Sequence, residues 1–143
     1  MDKRIKVKQV TPGAYKGMNV LEDHISKSKL DPLYKELARI KASQINGCAY
    51  CVDMHTEDAR KLGASEKKIY AVSAWRESPL FNDEERAILA FTEEVTNISA
   101  RGVSDETYNN LTKYFDDESI ADLIMINVVV NGWNRIAVST HLQ

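Results

Sequence analysis

The chain has 143 residues, and its 19 basic and 21 acidic side chains give a formal net charge of -2. This length suits one domain with one core, and the near balance of charges argues against a nucleic-acid partner. The sequence from Met1 onward has no continuous hydrophobic run, which predicts neither a secretory signal nor a membrane span. We therefore expect one domain over residues 1–143, in the cytoplasm and without a membrane partner.

The first predicted element is a short extended segment. Ile5, Val7 and Val10 alternate with polar residues, and the turn sequence Thr11-Pro12-Gly13 follows them. This pattern predicts an arm or an edge strand.

A helix is predicted to begin at Asp31-Pro32, an N-cap followed by proline at the first helical position. Apolar residues recur at helical spacing until Asn46-Gly47, where glycine is expected to end the helix. Glu36 lies at the flank of the apolar face, whereas Lys35 and Arg39 are expected to face outward.

The next predicted helix contains both cysteines of the chain and ends near Gly63. One face of its helical wheel collects six residues: Cys48, Cys51, Val52, His55, Ala59 and Leu62. Side chains three or four positions apart are neighbours, with Cβ atoms ~5–6 Å apart. The two thiols and the imidazole are therefore expected to lie together on a buried stripe.

The remaining helices are predicted from their capping residues and acidic first turns: Ser65, Asn82, Ser104 and Asp116. The helix after Asn82 should carry its apolar stripe as far as Ile98. The run Leu123–Val130 also suits a strand, but a helix begun at Asp117 needs no break before Gly132. The expected architecture is all-α and compact, with about six to seven helices.

The cysteine helix is the predicted functional site. In a reducing compartment, a lone cysteine pair points to redox, catalytic or metal chemistry more than to a static crosslink. His55 can take the proton of a neighbouring thiol, which matters because free cysteine has a pKa of about 8.5. If the two helices form an antiparallel hairpin around Gly47, Glu36 also comes near and can exchange protons with a thiol or with His55.

A metal site is the alternative from a different class. Cys48, Cys51 and His55 would supply three ligands, with a fourth from Glu36, His24 or His141. Structural zinc sites usually have two separated ligand pairs, so we favour redox chemistry and predict neither a metal nor a cofactor.

Five other residues are predicted to lie outside the site. His24 and His141 fall in no motif. Tyr50 is on the opposite side of the wheel from the thiols, and Trp75 and Trp133 are expected in the core or at a subunit interface.

The stretch Glu36–His55, ELARIKASQINGCAYCVDMH, resembles the core signature of the AhpD-like alkylhydroperoxidases in the carboxymuconolactone decarboxylase family. The resemblance continues through Thr56–Gly63 and includes Asp83–Ala87 and Ser104-Asp105. It implies an all-helical fold that assembles into homo-oligomers, commonly trimers or hexamers, with the cysteine helix near a cleft lined by subunits.

The same resemblance implies an antioxidant peroxidase that reduces organic (alkyl) hydroperoxides. Cys51 would attack the peroxide, Cys48 would resolve the sulfenic acid into a redox-active disulfide, and Glu36 and His55 would relay protons. The reductant would be a thiol, which in this family includes dihydrolipoyl groups on lipoylated carrier proteins. Some members have a histidine between the two cysteines, where this chain has Tyr50.

Two questions about the chemistry have alternative answers. The helix dipole favours Cys48 as the nucleophile, whereas the neighbouring His55 and the resemblance favour Cys51, which we prefer. The pair also suits a general thiol-disulfide oxidoreductase or a redox sensor. Lactone decarboxylation, the reaction that names the family, needs no cysteines, so the C-x-x-C pair argues against it.

Overall fold

The computed structural model describes residues 4–143, which form α-helices and one 3₁₀ turn but no β-strand. The helices are α1 (Val7–Val10), α2 (Pro12–Ser26), α3 (Pro32–Ile45), α4 (Ala49–Lys61), α5 (Glu66–Ala71), α6 (Asp83–Thr96), α7 (Ile98–Arg101), α8 (Asp105–Leu111) and α9 (Asp117–Thr140), with the 3₁₀ turn at Val72–Ala74. The predicted all-α architecture is confirmed. The count of about six to seven helices was too low for the described residues, because α1 and α7 are single turns and α2 was not predicted.

The prediction of an extended segment at the start of the chain is wrong. Val7–Val10 forms the helical turn α1, in which the N–H of Thr11 donates to the carbonyl of Val7 at 2.8 Å. Apolar alternation favours a strand only where a second strand offers a hydrogen-bond ladder, and residues 4–143 supply none. Helix α2 begins directly afterwards, because Pro12 is its first residue and does not form the predicted turn. Met1–Lys3, on which the prediction of no secretory signal partly depends, lie outside the described residues.

The predicted helix starts are confirmed by side-chain caps. Asp31 accepts a hydrogen bond from the N–H of Leu33, and Asn82 forms a capping box with Glu85. The carboxylate of Asp116 accepts from Ser119 at the start of α9. This helix continues past Gly132 to Thr140, which confirms the helical interpretation of the valine-rich run. None of the helices formed by residues 4–143 is both long and apolar enough to cross a membrane.

Two apolar residues predicted on buried stripes are exposed. Leu62 has 47% of its surface accessible and Ile98 has 58%. Both lie beyond the end of the observed helix, since α4 ends at Lys61 and α6 ends at Thr96. For these two residues, the helical spacing was extended past the point where the helix ends.

Helix α3 lies at the centre of the fold and packs against α4, α6 and α9. Its apolar residues Leu37 and Ile40 are fully buried. The expectation that Lys35 and Arg39 face outward is wrong, because α2 covers that side of α3. The Lys35 amine donates to the carbonyl of Ile25 at 2.9 Å, and only 12% of the Arg39 side chain is exposed.

Candidate active site

The site is built on the hairpin formed by α3 and α4. Gly47 connects the two helices with a φ of 66°, in the left-handed region where a side chain is strained. The N–H of Cys48 then donates to the carbonyl of Ser43 at 3.0 Å, which closes the end of α3. This turn sets the first residues of α4 against the last turn of α3.

The two cysteines are joined in a disulfide at the start of α4. Cys48 is the N-cap, and its sulfur accepts a hydrogen bond from the N–H of Cys51 at 3.3 Å. Both residues are 3% exposed and pack with Ala137 from the last turns of α9. The predicted clustering of the thiols is confirmed, although Cys48 precedes the helix instead of lying within it.

His55 lies one turn after Cys51 and contacts Glu36 on the neighbouring helix. Its Nδ1 is 2.9 Å from Oε2 of Glu36, and the side chains are 10% and 8% exposed. The other oxygen of Glu36 accepts from the guanidinium of Arg39 at 2.6 Å. The expected approach of Glu36 to the cysteine helix is therefore confirmed.

The charge of Glu36 follows from these contacts. Burial raises the pKa of its carboxyl, but the hydrogen bond from His55 and the charge of Arg39 outweigh burial and hold the pKa below its ordinary value. An ionised carboxylate only accepts hydrogen bonds, so Nδ1 of His55 carries the proton that it shares with Glu36. Neutral His55 then has its lone pair on Nε2 and can accept a proton from a thiol on its own helix face.

A sequence model of the carboxymuconolactone decarboxylase family matches residues 12–94, more than half of the chain. The chain belongs to this family. The matched region contains α2, α3, α4 and most of α6, and so includes both cysteines, His55 and Glu36.

Individual relatives agree with the family assignment. The uncharacterised protein YdfG of Bacillus subtilis is 38% identical over 97% of this chain and 95% of its own length. A solved structure from Agrobacterium tumefaciens, a protein of unknown function described as a candidate antioxidant defence protein AhpD, is 39% identical, with a TM-score of 0.95 over 99% of this chain and 97% of that chain. The AhpD-like resemblance seen in the sequence is thereby confirmed.

A more distant structure shows the same fold. A peroxidase-related protein from Ralstonia eutropha JMP134, described as an alkylhydroperoxidase AhpD core, has a TM-score of 0.83 at 20% identity. The match covers 96% of this chain and 73% of that chain. At this identity the likeness concerns the fold alone.

A polar network that sequence reasoning missed surrounds the His55–Glu36 pair of this family member. Arg39 contacts Glu36 on one side and Glu22 of α2 on the other, at 3.0 Å. Glu22 also accepts from the indole N–H of Trp133 in α9 at 2.9 Å. The three-residue spacing of Glu36 and Arg39 is a helical neighbour signal, but the role of Glu22 depends on α2, which was not predicted.

A groove of about 460 Å³ opens beside the disulfide. Its lining includes Cys48, Val52 and Gln44 but not Cys51. The side-chain oxygen of Gln44 is buried without a hydrogen-bond partner among residues 4–143. Of the two cysteines, Cys48 is therefore the one that lines this groove, although both residues are 3% exposed.

The metal alternative has a different donor set in the structure. Potential ligand atoms of Glu36, His55 and Asp58 lie within 4.8 Å of one another, and this group contains no cysteine. In this oxidised form the sulfurs are bonded to each other, and Arg39 and His55 occupy both oxygens of Glu36. The donor set predicted for a cysteine-ligated metal therefore does not fit this oxidised arrangement.

The remaining predicted residues are placed as follows. The side chain of His24 is 67% exposed and contacts Asp122, and His141 is exposed beyond the end of α9. Tyr50 is 41% exposed, in agreement with its position opposite the thiols. Trp75 is buried in the core, and Trp133 packs edge-on against the ring of Tyr15.

Proposed function

We propose that the protein is a thiol-dependent peroxidase that reduces organic hydroperoxides through the Cys48–Cys51 pair. The observation that carries this proposal is a buried disulfide one helical turn before His55. Nδ1 of this histidine bonds to the ionised carboxylate of Glu36. Peroxide attack needs a thiolate, a nearby base to form it and a second thiol to trap the product. These three groups lie within one helical hairpin.

In the oxidative half-reaction, Cys51 transfers its proton to Nε2 of His55 and attacks the terminal oxygen of the hydroperoxide. The O–O bond breaks, the departing alkoxide takes a proton from His55 and leaves as an alcohol, and Cys51 becomes a sulfenic acid. Cys48 then attacks the sulfur of Cys51, the S–O bond breaks and water leaves. The product is the disulfide, and Glu36 orients His55 throughout.

In the reductive half-reaction, a dithiol reductant restores both thiols. The groove borders Cys48, which favours attack on that sulfur. The S–S bond then breaks and releases Cys51 as a thiolate beside His55, while Cys48 is held in a mixed disulfide with the reductant. The second thiol of the reductant attacks the reductant sulfur of the mixed disulfide, the bond to Cys48 breaks, and the reductant leaves with its two sulfurs joined in a disulfide. Dihydrolipoyl groups on carrier proteins have this chemistry.

The experiment that tests the proposal uses the reduced protein and cumene hydroperoxide as the organic peroxide. We expect loss of two thiols per chain, formation of cumyl alcohol and catalytic turnover with dihydrolipoamide. Cys51→Ser should abolish turnover, whereas Tyr50→Phe, on the exposed side of the same helix, should retain it. Turnover that persists in Cys51→Ser would contradict the assigned nucleophile.

The alternative is a general thiol-disulfide oxidoreductase or a redox sensor. Such a protein would exchange disulfides with dihydrolipoamide, but peroxide would oxidise its cysteines no faster than free cysteine at the same pH. Stopped-flow measurement of peroxide oxidation against free cysteine distinguishes these functions. A rate equal to that of free cysteine would favour the alternative.

We further propose that the protein acts as a single-domain homo-oligomer, a trimer or hexamer, in the reducing cytoplasm. Exposed apolar side chains on α9 support association, since Ile124 is 39% and Val128 is 50% accessible. Multi-angle light scattering during size-exclusion chromatography measures the assembly. A monomeric mass at micromolar concentration would contradict it.

A further inference from the structure

Arg39 connects two carboxylates that come from different helices. Its Nη1 is 2.6 Å from Oε1 of Glu36, and its Nη2 is 3.0 Å from Oε2 of Glu22. The two terminal nitrogens of the guanidinium lie in one fixed plane, so bonding both carboxylates fixes its orientation. Arg39 is thus held at the side of Glu36 opposite His55.

Burial makes this contact matter for the proton relay. The exposed fraction of the side chain is 12% for Arg39 and 8% for Glu36, so water replaces little of the interaction. A buried carboxylate without a paired cation favours its protonated form. Glu22 is itself fixed by the indole N–H of Trp133, so α2 and α9 both support the position of Arg39.

We propose that Arg39 is a positioning residue that keeps Glu36 ionised and aligned on His55, and thereby keeps the Cys51 thiol reactive near neutral pH. This inference deepens the proposed function, since it concerns the base that serves the same thiol. Arg39 acts through Glu36 and His55 and does not itself touch the reacting atoms.

The charged and titratable groups around Glu36 determine the direction of the effect. They are Lys35 and Arg39 on α3, His55 and Asp58 on α4, and Glu22 on α2. Lys35 donates to the carbonyls of Ile25 and Ser28, so Arg39 is the cation bonded to Glu36. Without Arg39, burial and the nearby carboxylates raise the pKa of Glu36. Protonated Glu36 no longer offers His55 a charged acceptor, so the imidazolium that forms when the thiol ionises is less stabilised.

The test measures alkylation of a single thiol across pH. In a Cys48→Ser background, Cys51 is the one remaining thiol, and serine is a good replacement at an N-cap. The rate of alkylation by iodoacetamide follows the thiolate, so its pH midpoint reports how readily Cys51 ionises. We expect Arg39→Gln to move this midpoint upward by about one pH unit.

The Arg39→Gln variant is compared with a matched control and with a conservative variant. Lys41→Gln removes another buried cation of α3, whose partner at 3.3 Å is Glu93, and should leave the midpoint in place. Arg39→Lys keeps the charge and should return the midpoint at least halfway to the parent value. Because the alkylation assay uses no peroxide, it can contradict the role of Arg39 whether or not the protein proves to be a peroxidase.

Three outcomes would overturn the inference. They are a midpoint in Arg39→Gln that stays in place or moves to lower pH, an equal shift in Lys41→Gln, and a shift in Arg39→Lys as large as in Arg39→Gln. The last two would mean that the packing of α3, and not the charge beside Glu36, controls the thiol. Circular dichroism confirms that each variant is folded before its midpoint is measured.

Discussion

Nδ1 of His55 lies 2.9 Å from Oε2 of Glu36, and this buried contact joins the two helices of the hairpin. The residues are 19 positions apart, so neither helix alone brings them together. Their pairing places the proton of the neutral imidazole on Nδ1. In the proposed mechanism, Nε2 is then the base that accepts the proton of Cys51.

Glu36→Gln should slow peroxide oxidation of the reduced protein roughly 100-fold, the lower range for loss of a general acid-base group. Glutamine still accepts a hydrogen bond from His55 but cannot stabilise the imidazolium that forms when the thiol gives up its proton. Stopped-flow fluorescence measures the rate. The control is Glu93→Gln, which removes a carboxylate bonded to Trp75 and away from His55. Equal slowing in both variants would argue against a specific role for Glu36.

The two cysteine variants should give different products with peroxide. In Cys48→Ser, Cys51 should form a sulfenic acid that persists because no second thiol traps it, and dimedone should label it. In Cys51→Ser, Cys48 should remain largely a thiol because it lacks the neighbouring base. Mass spectrometry of the labelled peptide checks both. Labelling of Cys48 at the rate of Cys51 would reverse the assignment of the nucleophile.

Gly47→Ala should destabilise the fold by about 1–2 kcal/mol, because alanine is strained at a φ of 66°. A Cβ at this position meets no atom within 4 Å, so the cost comes from the backbone alone. Gly17→Ala, in the interior of α2 and equally free of contacts, should instead stabilise it by about 0.5–1 kcal/mol. Urea unfolding followed by tryptophan fluorescence measures both, and changes of the same sign would refute this explanation.

Asp116 should make the free energy of unfolding decrease as the pH is lowered. Lys29 and the N–H of Ser119 lower the pKa of Asp116 from 3.8 to about 2. A carboxylate with a lowered pKa in the folded state contributes its full stabilisation above 3.8, and this is lost as the pH falls toward about 2. Asp116→Asn keeps the helix cap but removes the charge. The free energy of unfolding of this variant should therefore fall less steeply than that of the parent between pH 3.8 and about 2.

The control for this prediction is Asp117→Asn, in the same turn of α9. Asp117 forms no ion pair with any residue in 4–143, so its variant should keep the steep acid dependence of the parent. Urea titrations at several pH values provide the comparison. Parallel curves for Asp116→Asn and the parent would contradict the assigned contribution.

Much of the fold could be predicted because helix starts and stops are local. A cap such as Asp31 or Asn82 bonds to an N–H two or three residues away, so the sequence window contains both partners. The same holds for Cys48, Cys51 and His55, which share a face through helical spacing. The exception is α2, where Pro12 and Gly13 are compatible with a turn or with a helix start.

Residue pattern was enough to predict an all-helical fold, the two cysteines beside His55, and Glu36 at the flank of its helix. Only the packing of the helices shows that Glu36 bonds to His55, that Arg39 is buried, and that Glu22 reaches Arg39 from α2. The difference lies in the range of the interactions. Helical periodicity repeats every few residues, whereas the charge state of a buried carboxylate depends on side chains brought to it from other helices.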